Sequence, residues 1–218
     1  MSPPVETFPA LAALPGIAHG FTTRIAGLDV KVDRATAVQR LDTFHAAARA
    51  GLGLAAKHFV TAEQVHGCAV AIVDENTAAR VPGTDGLITA SPAVCLGIHV
   101  ADCCAVYLAD PVCRVLALLH SGRKGSELGI TAAAIDRMRA HFGCDPADLI
   151  VQLSPCIRPP LYEVDFAALI LAQARAAGVR QIFDPGTCTG VNVDRYYSYR
   201  LERGQTGRML ALLALTGA

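Results

Sequence analysis

Charge of either sign is scarce in this 218-residue chain. Charged residues make up 17% of the sequence, and its 19 Lys and Arg balance its 19 Asp and Glu. Because the cations are scattered, the chain lacks the basic patch with which proteins bind nucleic acid. We therefore expect a small-molecule partner and no nucleic acid.

Membrane-spanning and secretory segments are also missing. No run reaches the roughly 18 uncharged residues that a membrane helix needs. The first ten residues, MSPPVETFPA, lack the basic and apolar regions of a signal peptide. Although 52% of the residues are hydrophobic, we expect no membrane partner and a cytoplasmic location. The sequence leaves the oligomeric state open between a monomer and a weak dimer.

The eight cysteines include no CxxC pair, and most lie inside apolar runs. In a reducing compartment such residues act mainly as small buried hydrophobes. The adjacent Cys103 and Cys104 can hardly bond to each other without strain. A disulfide framework is therefore not expected.

The stretch around which the chain is organised covers residues 94–125. One apolar run fills residues 94–108, and a second fills residues 112–119 after the turn-like Asp110-Pro111. Long apolar runs that are rich in β-branched residues and bounded by turns are typical of strands buried on both faces.

A carboxylate, two thiols and an imidazole interrupt these predicted strands. Such groups are costly to bury unless a hydrogen-bonding partner or an ion accompanies them. Alternation along a strand would place His99 and Cys103 on one face, and Asp102 and Cys104 on the other. Cys103 and His120 then come from neighbouring strands near one sheet edge, which makes them a candidate site.

The rest of the chain mixes predicted helices and strands. Asp33 is a plausible N-cap of a helix that ends near Gly51, with His45 half-exposed beside its apolar stripe. His66-Gly67 is typical of a tight hairpin turn in which the glycine takes positive φ. Further strands are predicted at 19–24, 58–65, 68–73, 87–89 and 149–153, helices at 126–142 and 166–177, and a strand or helix at 209–215.

This order of elements lacks strict βαβ repetition, and several strand pairs resemble hairpins. It favours an α+β fold, a layered α/β sandwich with a mixed, largely antiparallel sheet. With no repeat or linker in evidence, we expect a single domain over residues 1–218.

From the residues alone, three interpretations of Cys103 and His120 stay open. With a third ligand from another loop they would form a three-ligand zinc site, whose fourth position holds a water with a pKa near 7. A Cys-His pair also suits a metal-free thiolate nucleophile with an imidazole base. Without other evidence, a buried cysteine and a hydrogen-bonded structural histidine would be preferred.

Several separated motifs in a fixed order are more specific than this pair. They are Phe21-Thr22-Thr23-Arg24, Gln64-Val65-His66-Gly67, Thr84-Asp85-Gly86-Leu87-Ile88, Ala101-Asp102-Cys103, His120-Ser121-Gly122 with Gly125, Ser154-Pro155-Cys156-Ile157 leading to Tyr162-Glu163-Val164, Tyr197-Ser198-Tyr199-Arg200 and Thr206-Gly207-Arg208-Met209. Together they resemble the laccase-domain family over nearly the whole chain. Its members are also called multicopper polyphenol oxidoreductases, purine nucleoside phosphorylases and peptidoglycan editing factors.

The resemblance implies a metal-binding active site made of His66, Cys103 and His120, with zinc as the cofactor and copper as an alternative. It implies a layered α/β fold with a mixed sheet. It also implies phosphorolysis of adenosine, inosine, guanosine and methylthioadenosine, hydrolytic deamination of adenosine, or both. The partners would then be a purine nucleoside and phosphate. Asp102 would orient a ligand, accept a proton, or serve as a structural carboxylate.

Phosphorolysis requires cations that hold phosphate against the anomeric carbon. Arg24 and Lys124 are the candidates, and the substrate-binding prediction extends to three motif residues, Gln64, Asp85 and Ser121. Where the family has His-Ala-Gly-Trp-Arg-Gly, this chain has HSGRKG from His120, so the aromatic residue is lost. Only Arg offers a bidentate fork to a planar anion, so Lys124 is not its equivalent.

Three other functions stay open beside the zinc enzyme. In a thiol hydrolase Cys103 would attack an amide of a cell-wall precursor, with His120 as the base. A copper-dependent polyphenol oxidase would need several coppers and many histidines, whereas seven histidines here offer one evident cluster. A non-catalytic metal or nucleoside binder would be consistent with the altered loop.

Overall fold

Strands dominate the computed structural model, which describes residues 4–217. The strands are β1 Val5–Glu6, β2 Ile17–Thr22, β3 His58–Ala62, β4 Val70–Ile72, β5 Arg80–Val81, β6 Gly86–Thr89, β7 Val94–Val100, β8 Cys104–Asp110, β9 Val115–Ser121, β10 Ile150–Leu153, β11 Gln181–Phe183 and β12 Met209–Leu215. The helices are α1 Pro9–Ala12, α2 Arg34–Gly51, α3 Arg123–Glu127, α4 Ile130–Phe142 and α5 Phe166–Ala176.

These strands form two six-stranded mixed sheets. The first has the order β1-β2-β12-β7-β3-β5 and the second the order β11-β10-β8-β9-β6-β4. One apolar core lies between the sheets, and a second core joins the outer face of the second sheet to α4 and α5. The predicted α+β class and layered mixed-sheet sandwich are therefore confirmed, although the strands divide between two sheets.

The central strands β8 and β9 are buried on both faces, as their apolar runs predicted. Alternation sends Leu118 into the core between the sheets and Leu119 into the core beneath the helices. The two strands are antiparallel and pair Ala105 with His120. The expected proximity of Cys103 and His120 at one sheet edge follows from this register.

Helix α2 begins where the sequence predicts. The Asp33 carboxylate accepts hydrogen bonds from the amides of Ala35 and Thr36, which satisfies two donors of the first turn. The prediction for His45 is wrong, because its side chain is buried and its ring lies 5.4 Å from that of His99.

The predicted hairpin at His66-Gly67 is also wrong. The strand before it, β3, pairs with β5 and β7 of the first sheet, whereas β4 pairs with β6 of the second. The intervening segment crosses between the sheets, and His66, not Gly67, has the positive φ, at 62°. Asp85 stabilises this crossing.

The predicted helix over residues 126–142 is two helices. Gly129, with a φ of 82°, separates α3 from α4, and Gly143 at 71° ends α4 as expected. The segment 209–215, left open between strand and helix, is strand β12 at the centre of the first sheet. In the described part of the chain, no helix has both the length and the apolarity to span a membrane.

Candidate functional site

Three side chains from distant parts of the chain converge beside the start of β8. His66 lies in the crossing segment after β3, Cys103 directly precedes β8, and His120 is in β9. One potential ligand atom from each lies within 4.8 Å of the others. The two imidazole rings are 4.8 Å apart at an interplanar angle of 78°. The structure therefore brings together the residues predicted as metal ligands, and the group could hold a metal ion.

The backbone around this cluster adopts left-handed conformations at Gln64, His66 and Asp102, with φ of 66°, 62° and 78°. Such conformations cost about 1–3 kcal/mol each and persist only where surrounding contacts enforce them. The bend at Asp102 also interrupts the alternation predicted through residues 99–104. It separates β7 from β8 and directs the two strands into different sheets.

The buried carboxylate of Asp85 holds the crossing segment. Its oxygens accept hydrogen bonds from the amides of Val65, His66 and Gly67 at 3.2, 2.9 and 2.7 Å. Three charge-assisted hydrogen bonds offset the backbone cost at His66. Asp85 therefore positions the segment that carries His66 beside the cluster.

The same carboxylate orients His120. Nδ1 of His120 donates to Oδ1 of Asp85 at 2.8 Å, which leaves Nε2 as the ring nitrogen available to a ligand. Burial would raise the pKa of Asp85, but hydrogen bonds from His120 and Gly67 hold it below its usual value. Asp85, predicted as a substrate contact, lies behind His120 and is fully buried.

Cys103 and His120 stabilise each other's charged forms. Burial would raise the pKa of Cys103, but the His120 and His66 imidazoles lower it to about 6. Burial would lower the pKa of His120, but the Cys103 thiolate and the Asp85 carboxylate raise it to about 9. Without a metal ion, the pair is therefore a thiolate and an imidazolium at neutral pH.

Glycine is required where the chain passes the cluster after β9. A Cβ atom on Gly122 would lie 2.5 Å from Sγ of Cys103, well inside contact distance. This close approach keeps the thiol beneath the loop that follows His120. Packing against Cys103 therefore requires glycine at the third position of the HSG motif.

The cluster borders a cavity of about 470 Å³ that is rich in polar groups. Two of its lining residues, Arg34 and Arg208, form no ion pair with a carboxylate within residues 4–217. The Arg208 guanidinium donates to the carbonyls of Thr206 and Gly207, both at 2.8 Å, and lies 5.8 Å from the centre of the Tyr199 ring. Burial and the neighbouring Arg34 lower the pKa of Arg208. The cavity therefore carries uncompensated positive charge.

A second cavity of about 550 Å³ also borders the cluster and shares His66, Ala101, Cys103 and Tyr199 with the first. Lys124, a predicted phosphate contact, lines it with the ring of Tyr162. The cluster thus borders two cavities, a cationic one and a second one whose lining is more apolar.

Asp102 is buried, and its carboxylate is bound by the C-terminal part of the chain. Oδ1 accepts from the hydroxyl of Thr189 at 2.7 Å, and Oδ2 accepts from the hydroxyl of Ser198 and the amide of Arg200 at 3.0 and 2.7 Å. Burial raises its pKa against these hydrogen bonds. Of the three roles considered for Asp102 from the sequence, these contacts correspond to that of a structural carboxylate.

Two other predicted substrate residues form hydrogen bonds within the protein itself. The Gln64 side chain donates to the carbonyl of His99 at 2.6 Å and accepts from its amide at 3.0 Å, while lining the cationic cavity. The buried hydroxyl of Ser121 contacts that of Ser126 at 2.8 Å. Ser121 lines neither cavity.

Arg24 lies apart from the cluster among the described residues. Its guanidinium donates to Glu202 at 2.6 Å and to the carbonyl of Tyr196 at 3.1 Å, and it stacks 4.4 Å from the Tyr197 ring centre. These contacts anchor the C-terminal segment to β2. The structure does not bring Arg24 to either cavity around Cys103.

Sequence reasoning missed the two arginines that do line the cationic cavity. Arg208 stands in the Thr206-Gly207-Arg208-Met209 motif, so its motif was recognised without a role. Arg34 directly follows the Asp33 N-cap, and no motif or prediction included it. A cation in the first turn of a helix opposes the helix dipole. This unfavourable position is the feature of the sequence that could have marked Arg34 as a functional residue.

The fold and the site together define a class of two-sheet α+β proteins with a Cys and two His at the edge between the sheets. The chain matches, over residues 18–168 and 162–216, the family described as multi-copper polyphenol oxidoreductase laccase. It belongs to that family.

Known relatives agree with this assignment. A purine nucleoside phosphorylase of Deinococcus radiodurans is 32% identical, covering 91% of this chain and 89% of its own. Another from Streptomyces coelicolor is 34% identical, covering 72% and 75%. The crystal structure of YlmD from Geobacillus stearothermophilus superposes with a TM-score of 0.82 at 25% identity, covering 96% of this chain and 94% of that one.

Proposed function

We propose that the whole chain acts as one zinc-dependent enzyme domain that cleaves purine nucleosides by phosphorolysis. The observation that carries this is the pair of unpaired guanidiniums, Arg34 and Arg208, beside the Cys-His cluster. A cavity with uncompensated positive charge next to a reactive centre suits an anionic co-substrate. The relatives named purine nucleoside phosphorylase support the choice of phosphate as that anion.

The donor set fits zinc. Two imidazoles and a thiolate are ligands that zinc accepts in catalytic sites, and three protein ligands leave one position for substrate or water. A zinc ion bound by His66, Cys103 and His120 would supply Lewis-acid polarisation of a bound oxygen. Asp85 would fix the tautomer of His120, as carboxylates do behind metal-bound histidines.

In phosphorolysis a phosphate oxygen bonds to C1′ of the ribose while the C1′–N9 bond breaks, and the departing purine gains a proton. Arg34 and Arg208 would hold the phosphate and favour its attack by fixing its orientation. The rings of Tyr199 and Tyr162, with Lys124, line the space that remains for the nucleoside. Asp102 is assigned to positioning the Ser198–Arg200 backbone rather than to proton transfer.

The test is turnover of adenosine, inosine, guanosine and methylthioadenosine by the zinc-loaded protein, with and without phosphate. Phosphorolysis releases free base and ribose 1-phosphate only when phosphate is present. Ammonia and inosine formed from adenosine without phosphate would instead establish hydrolytic deamination. No turnover of any nucleoside under either condition would overturn the proposal.

A matched pair of variants tests the phosphate site. Arg208→Lys keeps the charge but loses the planar fork, so the KM for phosphate should rise by about tenfold, equivalent to about 1.4 kcal/mol. Arg139→Lys alters an exposed ion pair with Asp136 and should leave the KM unchanged. Equal effects in both variants would contradict the assignment of Arg208.

A second function is favoured by one observation, the thiolate and imidazolium formed by Cys103 and His120. In a thiol hydrolase that cleaves an amide of a cell-wall precursor, the Cys103 thiolate would be the nucleophile, and the His120 imidazolium would protonate the leaving amine. The neutral imidazole that remains would then be the base that activates water for hydrolysis. Loss of activity on alkylation of Cys103, with no loss on metal chelation, would support it. Inhibition by chelator and restoration by zinc would favour the metalloenzyme.

Copper-dependent oxidation of phenols receives less support from the site. Laccase chemistry uses several coppers and many imidazoles, whereas this cluster contains two histidines. Within residues 4–217 the other group of three potential ligands contains no histidine. Tight nucleoside binding without turnover would instead indicate a non-catalytic binder.

A further inference from the structure

A second cluster of potential ligands lies at the opposite end of the β8–β9 pair. Asp110 ends β8, Cys113 is in the turn before β9, and Cys144 follows the glycine that ends α4. One ligand atom from each lies within 4.8 Å of the others. Cys144 and Asp110 are buried, while Cys113 is partly exposed.

The carboxylate of Asp110 is only half satisfied. Its Oδ1 accepts hydrogen bonds from the amides of Val112 and Cys113, both at 2.8 Å, and so closes the turn. Its Oδ2 is buried and has no hydrogen-bond partner among the described residues. A buried charged oxygen without a hydrogen-bonding partner is unfavourable, so this oxygen requires a structural explanation.

A divalent cation explains this oxygen and both sulfurs together. Zinc accepts thiolate and carboxylate ligands, at about 2.3 Å for sulfur and about 2.0–2.2 Å for oxygen. Tetrahedral geometry then separates the ligand atoms by about 3.5–3.8 Å. Rotation of the side chains, with Cys113 on a partly exposed turn, would close the remaining distance of about 1 Å.

A disulfide between Cys113 and Cys144 explains fewer of these observations than a bound cation does. A disulfide between Cys113 and Cys144 would leave Oδ2 of Asp110 unpaired. Thiol hydrogens are weak donors and do not neutralise a carboxylate.

We propose that Asp110, Cys113 and Cys144 form a second zinc site, distinct from the cluster at Cys103. Each thiol loses its proton to solvent when the ion binds, and water fills the fourth position from the side of Cys113. The ion would tie the β8–β9 turn to the segment between α4 and β10. Its role is structural and does not depend on the proposed enzymatic function.

The test is metal binding to the full-length chain, reduced and stripped of metal, then titrated with Co²⁺ and Zn²⁺. The wild type should bind two ions per chain. A Cys103→Ala/His120→Ala variant should keep one ion, with the near-ultraviolet thiolate-to-cobalt band of a two-sulfur site. Absence of that ion, or a disulfide between Cys113 and Cys144 in the protein as purified without reductant, would overturn the proposal.

Asp110→Asn is the sharpest variant, because its amide oxygen can still accept from the Val112 and Cys113 amides. It should bind one ion fewer than the wild type, and zinc should raise its Tm by less than it raises that of the wild type, because only the Cys103 cluster still binds an ion. Cys188→Ser, a partly buried cysteine outside the cluster, is the control and should bind two ions. An unchanged ion count in Asp110→Asn would contradict the site.

Should Asp110→Asn fail to fold, alkylation of the wild type gives an independent measurement. Zinc should protect Cys113 and Cys144 from a thiol reagent, as read by mass spectrometry of their peptides. Cys188 should react at the same rate with and without zinc. Equal reactivity of Cys113 in both conditions would count against the proposal.

Discussion

Both ends of the β8–β9 pair carry a thiol near a buried carboxylate, but among residues 4–217 only the end at Cys103 has imidazoles beside the thiol. At one end the imidazoles of His66 and His120 lower the pKa of Cys103 to about 6 despite its burial. At the other end burial and the Asp110 carboxylate raise the pKa of Cys144. Neighbouring charge, rather than burial alone, therefore decides which cysteine is a reactive thiolate.

The distance between the two ends makes this comparison testable. Strand β8 has seven residues, so its ends are about 20 Å apart at 3.4 Å per residue. Substitutions separated by more than about 10 Å and sharing no partner usually act independently. A change at one end should therefore leave the properties of the other end unchanged.

The largest expected effect comes from removing a thiol at each end. Under the proposed function, Cys103→Ala should lower kcat/KM for nucleoside by about 10³-fold, because it would remove a metal ligand and with it several kcal/mol of transition-state stabilisation. Cys144→Ser should leave kcat/KM within about twofold of the wild type. Steady-state kinetics of folded, zinc-loaded variants measure both values. Similar losses of kcat/KM in the two variants would show that the two ends do not act independently.

The next largest effect comes from the carboxylates. Asp85→Asn should weaken zinc binding at the Cys103 cluster by about 10–100-fold, because His120 loses the partner that orients its ring. Asp110→Asn should leave this affinity unchanged, since it lies at the far end of β8. Competition with a chromogenic chelator measures the affinity. Asp85→Asn with wild-type affinity would show that its role is confined to the backbone of Val65, His66 and Gly67.

The sequence predicted the proximity of Cys103 and His120 because the evidence for it was local, whereas His66 was placed with them only by the family resemblance. Apolar runs marked β8 and β9, and polar residues inside them marked the site. The crossing of residues 63–69 between the sheets was not predictable, since the positive φ of His66 depends on Asp85, which lies 19 residues further along the chain.

Side-chain direction accounts for the remaining differences. Arg24 and Arg208 both stand in recognised motifs, but only the fold shows that Arg24 contacts Glu202 while Arg208 lines the cavity. The Asp110 cluster escaped notice because cysteines inside apolar runs are usually buried hydrophobes. Pairing of β8 with β10 brings the segment that carries Cys144 towards Asp110.

Packing at the reactive end gives a smaller effect. Gly122→Ala would place a methyl group 2.5 Å from Sγ of Cys103, and such overpacking should lower the free energy of unfolding by about 1–3 kcal/mol. Gly51→Ala is the control, because nothing lies within 4 Å of its added Cβ. It should be neutral or slightly stabilising. Denaturant unfolding of both variants, with and without zinc, tests this expectation.

The smallest expected effect is a difference in pH dependence between the thiols of the metal-free protein. The reactive species is the thiolate, so alkylation follows its population. With a pKa of about 6, Cys103 should react about tenfold faster at pH 7 than at pH 5 and change little above pH 7. Cys144, whose pKa is raised by burial and by Asp110, should stay slow throughout this range.

The His120→Gln variant identifies the cause of this difference. Loss of the imidazolium removes the main charge that stabilises the Cys103 thiolate, so its alkylation should shift to higher pH and become slow at pH 7. Mass spectrometry of alkylated peptides resolves each cysteine in one experiment. A Cys103 midpoint near the ordinary thiol value in the wild type would mean that the imidazoles do not stabilise its thiolate. The two ends would then differ only in exposure.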